Sequence, residues 1–468
     1  MIENQASFSC SDLYVEFGPE SLSNFSTDIA CSGISIDTRT IRDGNAFVAL
    51  VGEKSDGHDR VEESFERGAL FAVVTKSWCS ENKSICEKYP LVIVKDTSLA
   101  LGLLGALHRS RFEIPIVAVA GSNGKTSTKE MAALVLSEKY NVLKTYKNFN
   151  NQLGVPLMLL ALNERHEVAL LEIGTNSPGE IEYLSGLVRP THGIITNIGK
   201  EHLEKLIDLD GVEMEETSLF TFLLKQSGMA YINSDDKRLS KYKKILKKRI
   251  TFGTGEEDSN LSAKIDYDEN MFPTLEINME GKHFFAKINS SGYTSAINAL
   301  AAASIGFGLD LSVGEIKSGL EKFKPIAGDA YGRMLTIKVN DYTILNDCYN
   351  ANPTSVENAL DTLSKFKSDG KKIAVLGDML ELGENSVSEH LLIIKKALAS
   401  SDKLFLIGNE FKSALNIFSK SKNSENIKYF SSREELTREL KPSIFPGDII
   451  LVKGSRGMKL ESIVSNLL

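Results

Sequence analysis

The chain alternates compact apolar runs with longer segments in which apolar residues recur every three or four positions. Runs such as Ile114–Ala120 and Lys372–Leu376 are almost wholly apolar, which predicts strands buried on both faces of a parallel sheet. Regular alternation of such strands with helical segments is typical of doubly wound α/β sheets. The segment Asp258–Asn289 differs, because apolar and polar residues alternate there, and this alternation predicts an antiparallel hairpin.

A glycine-bearing loop follows the strand Ile114–Ala120 and ends in Gly-Lys-Thr at the start of a predicted helix. We call residues 121–126 the phosphate loop, because strand, glycine loop and helix together form the usual context for binding phosphate. In such a loop Lys125 reaches the outer phosphates and the Thr126 hydroxyl ligates Mg²⁺. Val119 stands where the strict Walker pattern has glycine, so the loop is a shortened variant. An ordinary turn is the alternative interpretation.

Three domains are predicted, because 468 residues exceed what one hydrophobic core normally supports. Residues 1–110 are predicted to form a small N-terminal α/β domain. Residues 111–325 are predicted to form a central domain with a P-loop, ATPase-like, mostly parallel sheet that also carries the hairpin. Residues 326–468 are predicted to form a C-terminal Rossmann-like, doubly wound domain, although no Gly-x-Gly-x-x-Gly dinucleotide fingerprint follows its first strand.

Polar side chains follow two further strands of the central domain. Glu172 lies at the end of the strand Glu167–Ile173, and His202 lies just past the strand Gly193–Asn197. Ligands bind at the carboxyl ends of strands in doubly wound sheets, so Glu172 is a candidate Mg²⁺ ligand and His202 a candidate site residue. The alternatives are a helix-capping acid for Glu172 and a structural role for His202.

Two polar loops are candidate substrate contacts. Asp37 and Arg39, together with Asp-Gly-His at residues 56–58, are able to form a pocket for a phosphate or a sugar, and a solvated loop is the alternative. Four amides within residues 148–152 offer a substrate uncharged donors and acceptors, and turn formation is the alternative.

Composition excludes several classes of protein. A net charge of −8 argues against general nucleic-acid binding, which requires a basic face. No apolar run approaches the roughly 18 residues of a membrane span, and the first residues lack the features of a signal peptide, so we expect a cytoplasmic protein. The five cysteines are odd in number and lack metal-ligand spacing, which predicts reduced thiols.

Taken together, the motifs of this chain resemble those of the Mur ligases over nearly its whole length. The matching segments are Asp37–Arg39, Asp56–His58, Gly121–Thr126, Asn148–Asn151, Tyr349–Pro353, Gly377–Gly383 and Val452–Arg456. The resemblance implies a ligase that uses ATP and two Mg²⁺ ions to join D-alanyl-D-alanine to UDP-N-acetylmuramoyl-tripeptide through an acyl phosphate. We expect the domains to close around the substrates, because the site is shared between them. We also expect a monomer, although the sequence does not give the oligomeric state.

The resemblance assigns roles to particular residues of this chain. Catalytic roles fall to Lys125, Glu172, His202 and Lys453. ATP contacts fall to Gly121, Ser122, Asn123, Gly124, Lys125, Thr126, Ser127, Asn298, Arg333 and Asp347. Contacts to the UDP substrate fall to Asp37, Thr38, Arg39, Asp56, Gly57, His58, Asn148, Asn150 and Asn151. Contacts to the dipeptide fall to Asn350, Asn352, Ser455 and Arg456, and metal ligation falls to Thr126, Glu172, His202 and Glu216.

The chain departs from the family pattern at two places. At the adenine site the family has Gly-x-His-Asn-x-x-Asn, and here only Gly292 and Asn298 match, so contacts through residues 294 and 295 stay open. The family also has a carbamylated lysine about a dozen residues beyond the metal-binding histidine, whereas Glu216 occupies that position here. We predict that the Glu216 carboxylate replaces the carbamate as a metal ligand. A solvated acidic face is the alternative.

Three rival functions are weighed against this prediction. A sister ligase that adds the third peptide residue, or a folylpolyglutamate synthase, shares the phosphate loop. Neither is expected to combine Asn148–Asn151 with Tyr349–Pro353, and the folate enzyme lacks the uridine-nucleotide domain. A P-loop switch is the third rival, and it would hydrolyse nucleotide without either peptide substrate. The sequence leaves open which residue is third in the accepted tripeptide.

Overall fold

The computed structural model describes residues 4–255, 259–325, 332–418 and 425–468. The fold is α/β, as the alternation of apolar runs and amphipathic segments predicts. The chain divides into two compact units. Unit 1 comprises Met1–Ala118, Tyr140–Gly174 and Glu180–His192, and unit 2 comprises Val119–Lys139, Thr175–Gly179 and Gly193–Leu468.

The first hundred residues of unit 1 form a five-stranded sheet in the order β2-β7-β6-β5-β4, beside a two-stranded pair of β1 and β3. The elements are β1 (Ser7–Ser9), α1 (Cys10–Phe17), β2 (Leu22–Ser23), β3 (Ala30–Ser32), β4 (Ile34–Ser35), β5 (Ala46–Val48), α2 (Val61–Glu66), β6 (Phe71–Thr75), α3 (Lys76–Glu81), α4 (Lys83–Cys86), β7 (Leu91–Val94) and α5 (Thr97–Arg109). Strands β5 to β7 are parallel, and their buried apolar residues pack against α5.

The central part of the chain supplies the next group of elements. They are β8 (Ile116–Ala120), α6 (Lys125–Leu136), β9 (Val142–Lys144), α7 (Gly154–Leu160), β10 (Val168–Glu172), α8 (Glu180–Val188), β11 (His192–Ile195), α9 (Leu203–Leu206), α10 (Leu209–Glu216), α11 (Ser218–Gln226), β12 (Met229–Asn233), α12 (Lys237–Ser240), β13 (Arg249–Gly253), β14 (Leu261–Tyr267), β15 (Pro273–Met279), β16 (Lys282–Lys287), α13 (Tyr293–Gly308) and α14 (Val313–Glu321).

The division between the units falls inside β8 and β11. In unit 1 the strands follow the order β8-β10-β9, and in unit 2 they follow the order β16-β15-β14-β13-β12-β11-β8. Strands β14, β15 and β16 are antiparallel, which confirms the predicted hairpin and extends it to three strands.

The predicted acidic helix over residues 211–224 is two helices, α10 and α11. The break falls at Thr217, whose hydroxyl donates a hydrogen bond to the carbonyl oxygen of Glu213. A threonine that bonds back to the preceding turn in this way bends a helix. The prediction of one continuous helix was therefore wrong.

The C-terminal part forms a six-stranded sheet in the order β17-β18-β22-β19-β20-β21, in which β17 alone pairs antiparallel. The elements are β17 (Leu335–Val339), β18 (Tyr342–Asp347), α15 (Pro353–Lys365), β19 (Lys372–Gly377), α16 (Ser386–Ser400), β20 (Lys403–Ile407), α17 (Asn409–Phe418), β21 (Ile427–Phe430), α18 (Arg433–Leu440), β22 (Ile449–Lys453) and α19 (Glu461–Leu467). Apolar clusters cover both faces, so the doubly wound prediction is confirmed.

The domain limits stay predictions, and the proposed start of the third domain at residue 326 lies outside the described residues. One sequence expectation was wrong: Cys79 and Cys86 form a disulfide, whereas Cys10, Cys31 and Cys348 are free thiols. Within the described ranges, no helix combines the length and apolar character needed to cross a bilayer.

Candidate active site

The phosphate loop connects β8 to α6 and depends on two glycines in left-handed conformations. Gly121 has φ +113° and Gly124 has φ +83°, values that L side chains rarely adopt. A Cβ on Gly121 would overlap the Thr196 hydroxyl, and one on Gly124 would overlap the Asn298 carboxamide. Glycine is therefore required at both positions by backbone conformation and by packing.

Side chains from neighbouring elements hold the phosphate loop in place. Lys125 Nζ donates to the carbonyl oxygen of Gly121 and lies 3.7 Å from Glu201 Oε2. The backbone N–H of Asn123 donates to Asn197 Oδ1 at 3.1 Å, and the Asn123 carbonyl accepts from the Thr196 hydroxyl at 2.7 Å. The loop is thus already folded into a turn with its lysine at the start of α6, as anion binding requires.

Two carboxylates, Glu201 and Glu216, lie buried against this loop. Glu216 Oε2 accepts the backbone N–H of Gly121 at 2.7 Å. Burial raises the pKa of Glu216 to about 8, with Lys125 opposing the rise and Glu201 adding to it. Because the Glu216 side chain is fully buried, the alternative of a solvated acidic face is wrong.

The Glu201–Glu216 pair fits a bound cation. Each residue has a buried Oε1 that lacks a hydrogen-bond partner among the described residues. Unpartnered carboxylate oxygens are hard ligands, which suits Mg²⁺, and a divalent ion would offset their mutual repulsion. Over the part of the chain that the structure describes, no group of three or more His, Cys, Asp or Glu side chains is arranged to hold a metal.

The ligand-free protein should lose stability with rising pH because of Glu216. The unfolded carboxyl ionises near its usual pKa of 4.5, whereas the folded one keeps its proton up to about pH 8. The cost of burying this group is therefore absent below pH 4.5 and complete above about pH 8. Denaturant unfolding at several pH values measures this effect. Between pH 5 and 8, the free energy of unfolding of Glu216→Gln should rise relative to that of the wild type. Parallel curves for the two proteins would contradict the buried, protonated carboxyl.

His202 is fixed by a residue that the sequence analysis did not single out. Its Nδ1 lies 2.5 Å from Glu381 Oε2, and its Nε2 lies 3.9 Å from Glu201 Oε2. Glu381 belongs to the Gly377–Gly383 motif and lies in the loop after β19. The motif was visible in the sequence, but nothing in the sequence indicated that one of its side chains would contact His202.

The predicted adenine residues lie on α13. The Oδ1 of Asn298 accepts from the Thr128 hydroxyl at 3.2 Å, and Asn298 packs against Gly124 of the phosphate loop. The Tyr293 hydroxyl lies 3.5 Å from Asp235 Oδ2. The buried Ser295 hydroxyl lacks a partner among the described residues. The structure thus brings Asn298 to the phosphate loop.

The C-terminal candidates cluster at the carboxyl ends of adjacent strands. Lys453 Nζ, at the end of β22, donates to Asp347 Oδ2 at 2.6 Å and to the Asn350 carbonyl at 2.9 Å. The Arg333 guanidinium lies over the Tyr349 ring, 3.7 Å from its centroid. The buried Lys453 ammonium therefore connects the ends of β18 and β22.

Ser455 and Arg456 lie beside these residues. The Ser455 hydroxyl donates to the Ala351 carbonyl at 3.2 Å and accepts the Leu380 N–H at 2.8 Å. The Arg456 N–H lies 3.4 Å from Asn350 Oδ1. The predicted dipeptide residues thus form one contiguous group on the C-terminal sheet.

Asn352 connects the start of α15 to the phosphate loop. Its Oδ1 accepts the Ser355 N–H at 2.8 Å, which caps the helix, and its Nδ2 donates to Asn123 Oδ1 at 3.0 Å.

The two functions of the Asn352 carboxamide should separate by mutation. Asn352→Ala removes the cap and should lower the free energy of unfolding by about 1 kcal/mol. Asn352→Asp keeps the acceptor and should remain close to wild-type stability. Both variants lose the donor to Asn123 and should raise the KM for ATP by about threefold to tenfold. Thermal unfolding and steady-state kinetics measure the two effects, and equal destabilisation by both substitutions would argue against the cap.

In unit 1 the predicted uridine-nucleotide residues form two local clusters. Arg39 Nε bonds Asp37 Oδ1 at 2.9 Å, and the Asp37 side chain caps a short helical turn that contains the buried Thr38. The buried His58 lies 2.6 Å through Nδ1 from Asp56 Oδ1, and its Nε2 accepts the N–H of Thr75. Both nitrogens of His58 are therefore engaged inside the fold, so its contribution is to hold the loop at residues 56–58.

Glu172 and the amide-rich segment also meet in unit 1. Asn150 Nδ2 donates to Glu172 Oε1 at 2.9 Å, and the Glu172 N–H donates to the Thr145 hydroxyl at 2.8 Å. Asn151 Oδ1 accepts the N–H groups of Leu153 and Gly154 at the start of α7. Asn150 thus orients Glu172, whereas Asn151 fulfils the turn-forming alternative.

A phosphate loop on a mostly parallel sheet, followed by a doubly wound domain with basic residues at its strand ends, is typical of an enzyme that uses a nucleoside triphosphate. Two family models match the chain: Mur ligase middle domain over residues 119–306, and Mur ligase, glutamate ligase domain, over residues 332–456. The family matches identify the class as an ATP-dependent ligase. The chain belongs to the Mur ligase family.

Individual relatives are similar over nearly the full length. The chain is 35% identical to the UDP-N-acetylmuramoyl-tripeptide–D-alanyl-D-alanine ligase of Buchnera aphidicola, over 95% of each chain. MurF from Acinetobacter baumannii has a similar structure, with a TM-score of 0.86 and 28% identity over 98% of each chain. MurF ligase from Thermotoga maritima in complex with ADP gives a TM-score of 0.80 at 25% identity, over 93% of this chain and 96% of that one.

Proposed function

We propose that this protein joins D-alanyl-D-alanine to UDP-N-acetylmuramoyl-tripeptide and converts one ATP to ADP and phosphate. The observation that carries the proposal is the 35% identity, over 95% of both chains, to a ligase named for that reaction. The preformed phosphate loop with Lys125 supports it chemically. The solved structures of a diaminopimelate-adding sister ligase and of a folylpolyglutamate synthase share only 16% and 13% identity with this chain.

The chemistry requires the peptide carboxylate to be made reactive. The carboxylate attacks the γ-phosphorus of ATP, ADP leaves, and an acyl phosphate forms. The free amine of the dipeptide then attacks the acyl carbon, and inorganic phosphate leaves as the amide forms and the amine loses a proton. In the first step anionic groups crowd together, and Lys125 with the N–H groups of the phosphate loop offsets that repulsion.

We assign metal ligation to Thr126, Glu172, His202 and Glu216, for two Mg²⁺ ions. The ions would supply charge neutralisation between the phosphates and the attacking carboxylate. The unpartnered Oε1 atoms of Glu201 and Glu216 support a cation beside Lys125. Asn150 holds the Glu172 carboxylate in one orientation, as a ligand requires.

The remaining residues divide between the three substrates. We assign Asn298, Arg333 and Asp347 to the nucleotide. Two cationic side chains and several amide or hydroxyl groups suit the carboxylate of a dipeptide. They belong to Asn350, Asn352, Lys453, Ser455 and Arg456. We assign contacts with the UDP substrate to residues 37–39, Asp56, Gly57, Asn148 and Asn150. His58 and Asn151 hold the loops that carry these residues. Because the reaction consumes ATP and small soluble precursors, we place it in the cytoplasm. We also propose that the protein is a monomer.

Phosphate release from ATP tests the proposal. The expected result is release that requires both UDP-N-acetylmuramoyl-tripeptide and D-alanyl-D-alanine, with a pentapeptide product detected by mass spectrometry. A P-loop switch would hydrolyse ATP without either substrate, and a ligase for the third residue would use a dipeptide precursor and a free amino acid. A panel of tripeptides ending in lysine or in a diamino acid would identify the accepted third residue.

A further inference from the structure

The ring of His202 is held by a side chain from the loop that follows β19. We propose that Glu381 is a positioning residue, which fixes the tautomer and the orientation of His202 so that Nε2 faces the phosphate loop. The proposal rests on the proposed function and deepens it, because it concerns a residue assigned there to metal ligation.

The geometry determines the proton position. Glu381 Oε2 lies 2.5 Å from His202 Nδ1. An ionised carboxylate only accepts hydrogen bonds, so Nδ1 must carry a hydrogen. In the neutral ring the lone pair is then on Nε2, which lies 3.9 Å from Glu201 Oε2 on the side of Lys125. Without Glu381 either tautomer would be available to the ring.

Hydrogen bonds fix the backbone of the β19 loop (residues 378–383) on the N-terminal side of Glu381. The Asp378 carboxylate accepts the N–H groups of Glu410 and Phe411 at the start of α17. The Met379 N–H donates to His390 Nε2 at 3.0 Å, and the Leu380 N–H donates to the Ser455 hydroxyl at 2.8 Å. Successive backbone groups of the loop are therefore fixed before Glu381 is reached.

A second bond ties this loop to the turn that carries His202. The carbonyl oxygen of Glu381 accepts the Glu204 N–H at 3.0 Å. Beneath these bonds, Leu203 and Leu206 of α9 pack in one apolar cluster with Met379 and Leu382. Backbone and side chain of Glu381 thus act on the same turn.

Both partners have strained backbones. His202 has φ +48° and Glu381 has φ +66°, the left-handed region that costs a non-glycine residue of order 1 kcal/mol. Such conformations persist where surrounding contacts impose them, and they are concentrated at functional sites. His202 and Glu381 both have this conformation, and their side chains contact each other. This combination is the reason for choosing Glu381 as the positioning residue.

The consequence is that the C-terminal sheet sets the geometry of a residue beside the phosphate loop. When the β19 loop is in place, His202 presents Nε2, and when that contact is lost the ring is free to rotate and to change tautomer. Outer carboxylate partners of this kind contribute about tenfold to a hundredfold to affinity or activity.

Nitrogen-15 NMR of protein labelled at histidine tests the proposal in the ligand-free state. The wild-type His202 signals should show a protonated Nδ1 and an unprotonated Nε2 at pH 7.5, assigned with a His202→Gln variant. Glu381→Gln keeps an oxygen acceptor and should retain this tautomer, whereas Glu381→Ala should give mixed tautomers. Glu384→Ala removes an exposed carboxylate of the adjacent turn and should leave the spectrum unchanged.

Kinetics provide the second readout. Glu381→Ala should lower kcat by about tenfold to a hundredfold with little change in the KM of the UDP substrate, and Glu381→Gln should restore most of the loss. An unchanged tautomer in Glu381→Ala would overturn the proposal, as would equal kinetics for the two substitutions. If the wild type shows the tautomer but makes no pentapeptide, the proposed function fails while the positioning role stands. Should Glu381→Ala unfold, the wild-type spectrum still decides, because a His202 ring that carries its hydrogen on Nε2, or that shows mixed tautomers, would overturn the proposal.

Discussion

Lys125→Ala should reduce ATP-dependent ligation by about a thousandfold, as expected when a charged donor to the transferring phosphoryl group is removed. The ammonium group of Lys125 is held by the Gly121 carbonyl at the start of α6, where a phosphate binds in loops of this type. Alanine is a good helix former, so α6 itself should persist. Discontinuous assays of phosphate release and pentapeptide formation measure the reduced rate of ligation.

Binding of UDP-N-acetylmuramoyl-tripeptide to Lys125→Ala, measured by calorimetry, should equal that of the wild type. Lys395→Ala removes the charge of an exposed lysine on α16 and serves as the matched control with unchanged turnover. Loss of both ligation and substrate binding would indicate a defect of folding. Retention of more than a tenth of the activity would refute the assignment of Lys125 to the phosphates.

Replacing Glu216 should have the second largest effect. Glu216→Ala removes the carboxylate that accepts the Gly121 N–H and leaves that buried donor without a partner. If Glu216 is the metal ligand proposed above, loss of this ligand together with a buried hydrogen bond should lower kcat by about a hundredfold and weaken Mg²⁺ binding. Magnesium titration of the ligation rate, together with equilibrium Mn²⁺ binding followed by electron paramagnetic resonance, measures both consequences.

Dependence on bicarbonate discriminates the Glu216 prediction from its alternative. The wild type should be indifferent to added bicarbonate, because its carboxylate is built into the side chain. Glu216→Lys restores the residue type that the family carbamylates, and its activity should rise with bicarbonate. Asp210→Asn, at an exposed position of α10, is the control. A wild type stimulated by bicarbonate, or full activity in Glu216→Ala, would exclude Glu216 as the replacement for the carbamate.

The sequence predicted the features that depend on local order. Continuous apolar runs identified the buried strands, and Gly-Lys-Thr after one of them located the phosphate loop, because strand, turn and helix are adjacent in the chain. Strict alternation likewise identified the antiparallel strands within residues 258–289. These features follow from backbone periodicity and from the conformational freedom of glycine, which act over a few residues.

The local amino-acid sequence did not predict which polar side chains are buried or which residues they contact. The acidic run at residues 213–216 has the composition of a solvated helix face, yet Glu216 is fully buried beneath Gly121. His58 was predicted as a substrate contact on sequence grounds, and the fold engages both of its nitrogens with Asp56 and Thr75. Burial depends on which elements pack above a residue, and composition does not contain that information.

The amino-acid order by itself determined an α/β chain with a phosphate loop at Lys125 and a doubly wound C-terminal sheet. The tertiary structure alone decided that Glu381 meets His202 and that Asn352 meets Asn123, over separations of 179 and 229 residues. Hydrogen bonds between residues so distant have no counterpart in local periodicity, because they exist only once the strand ends of the folded sheets bring the two loops together.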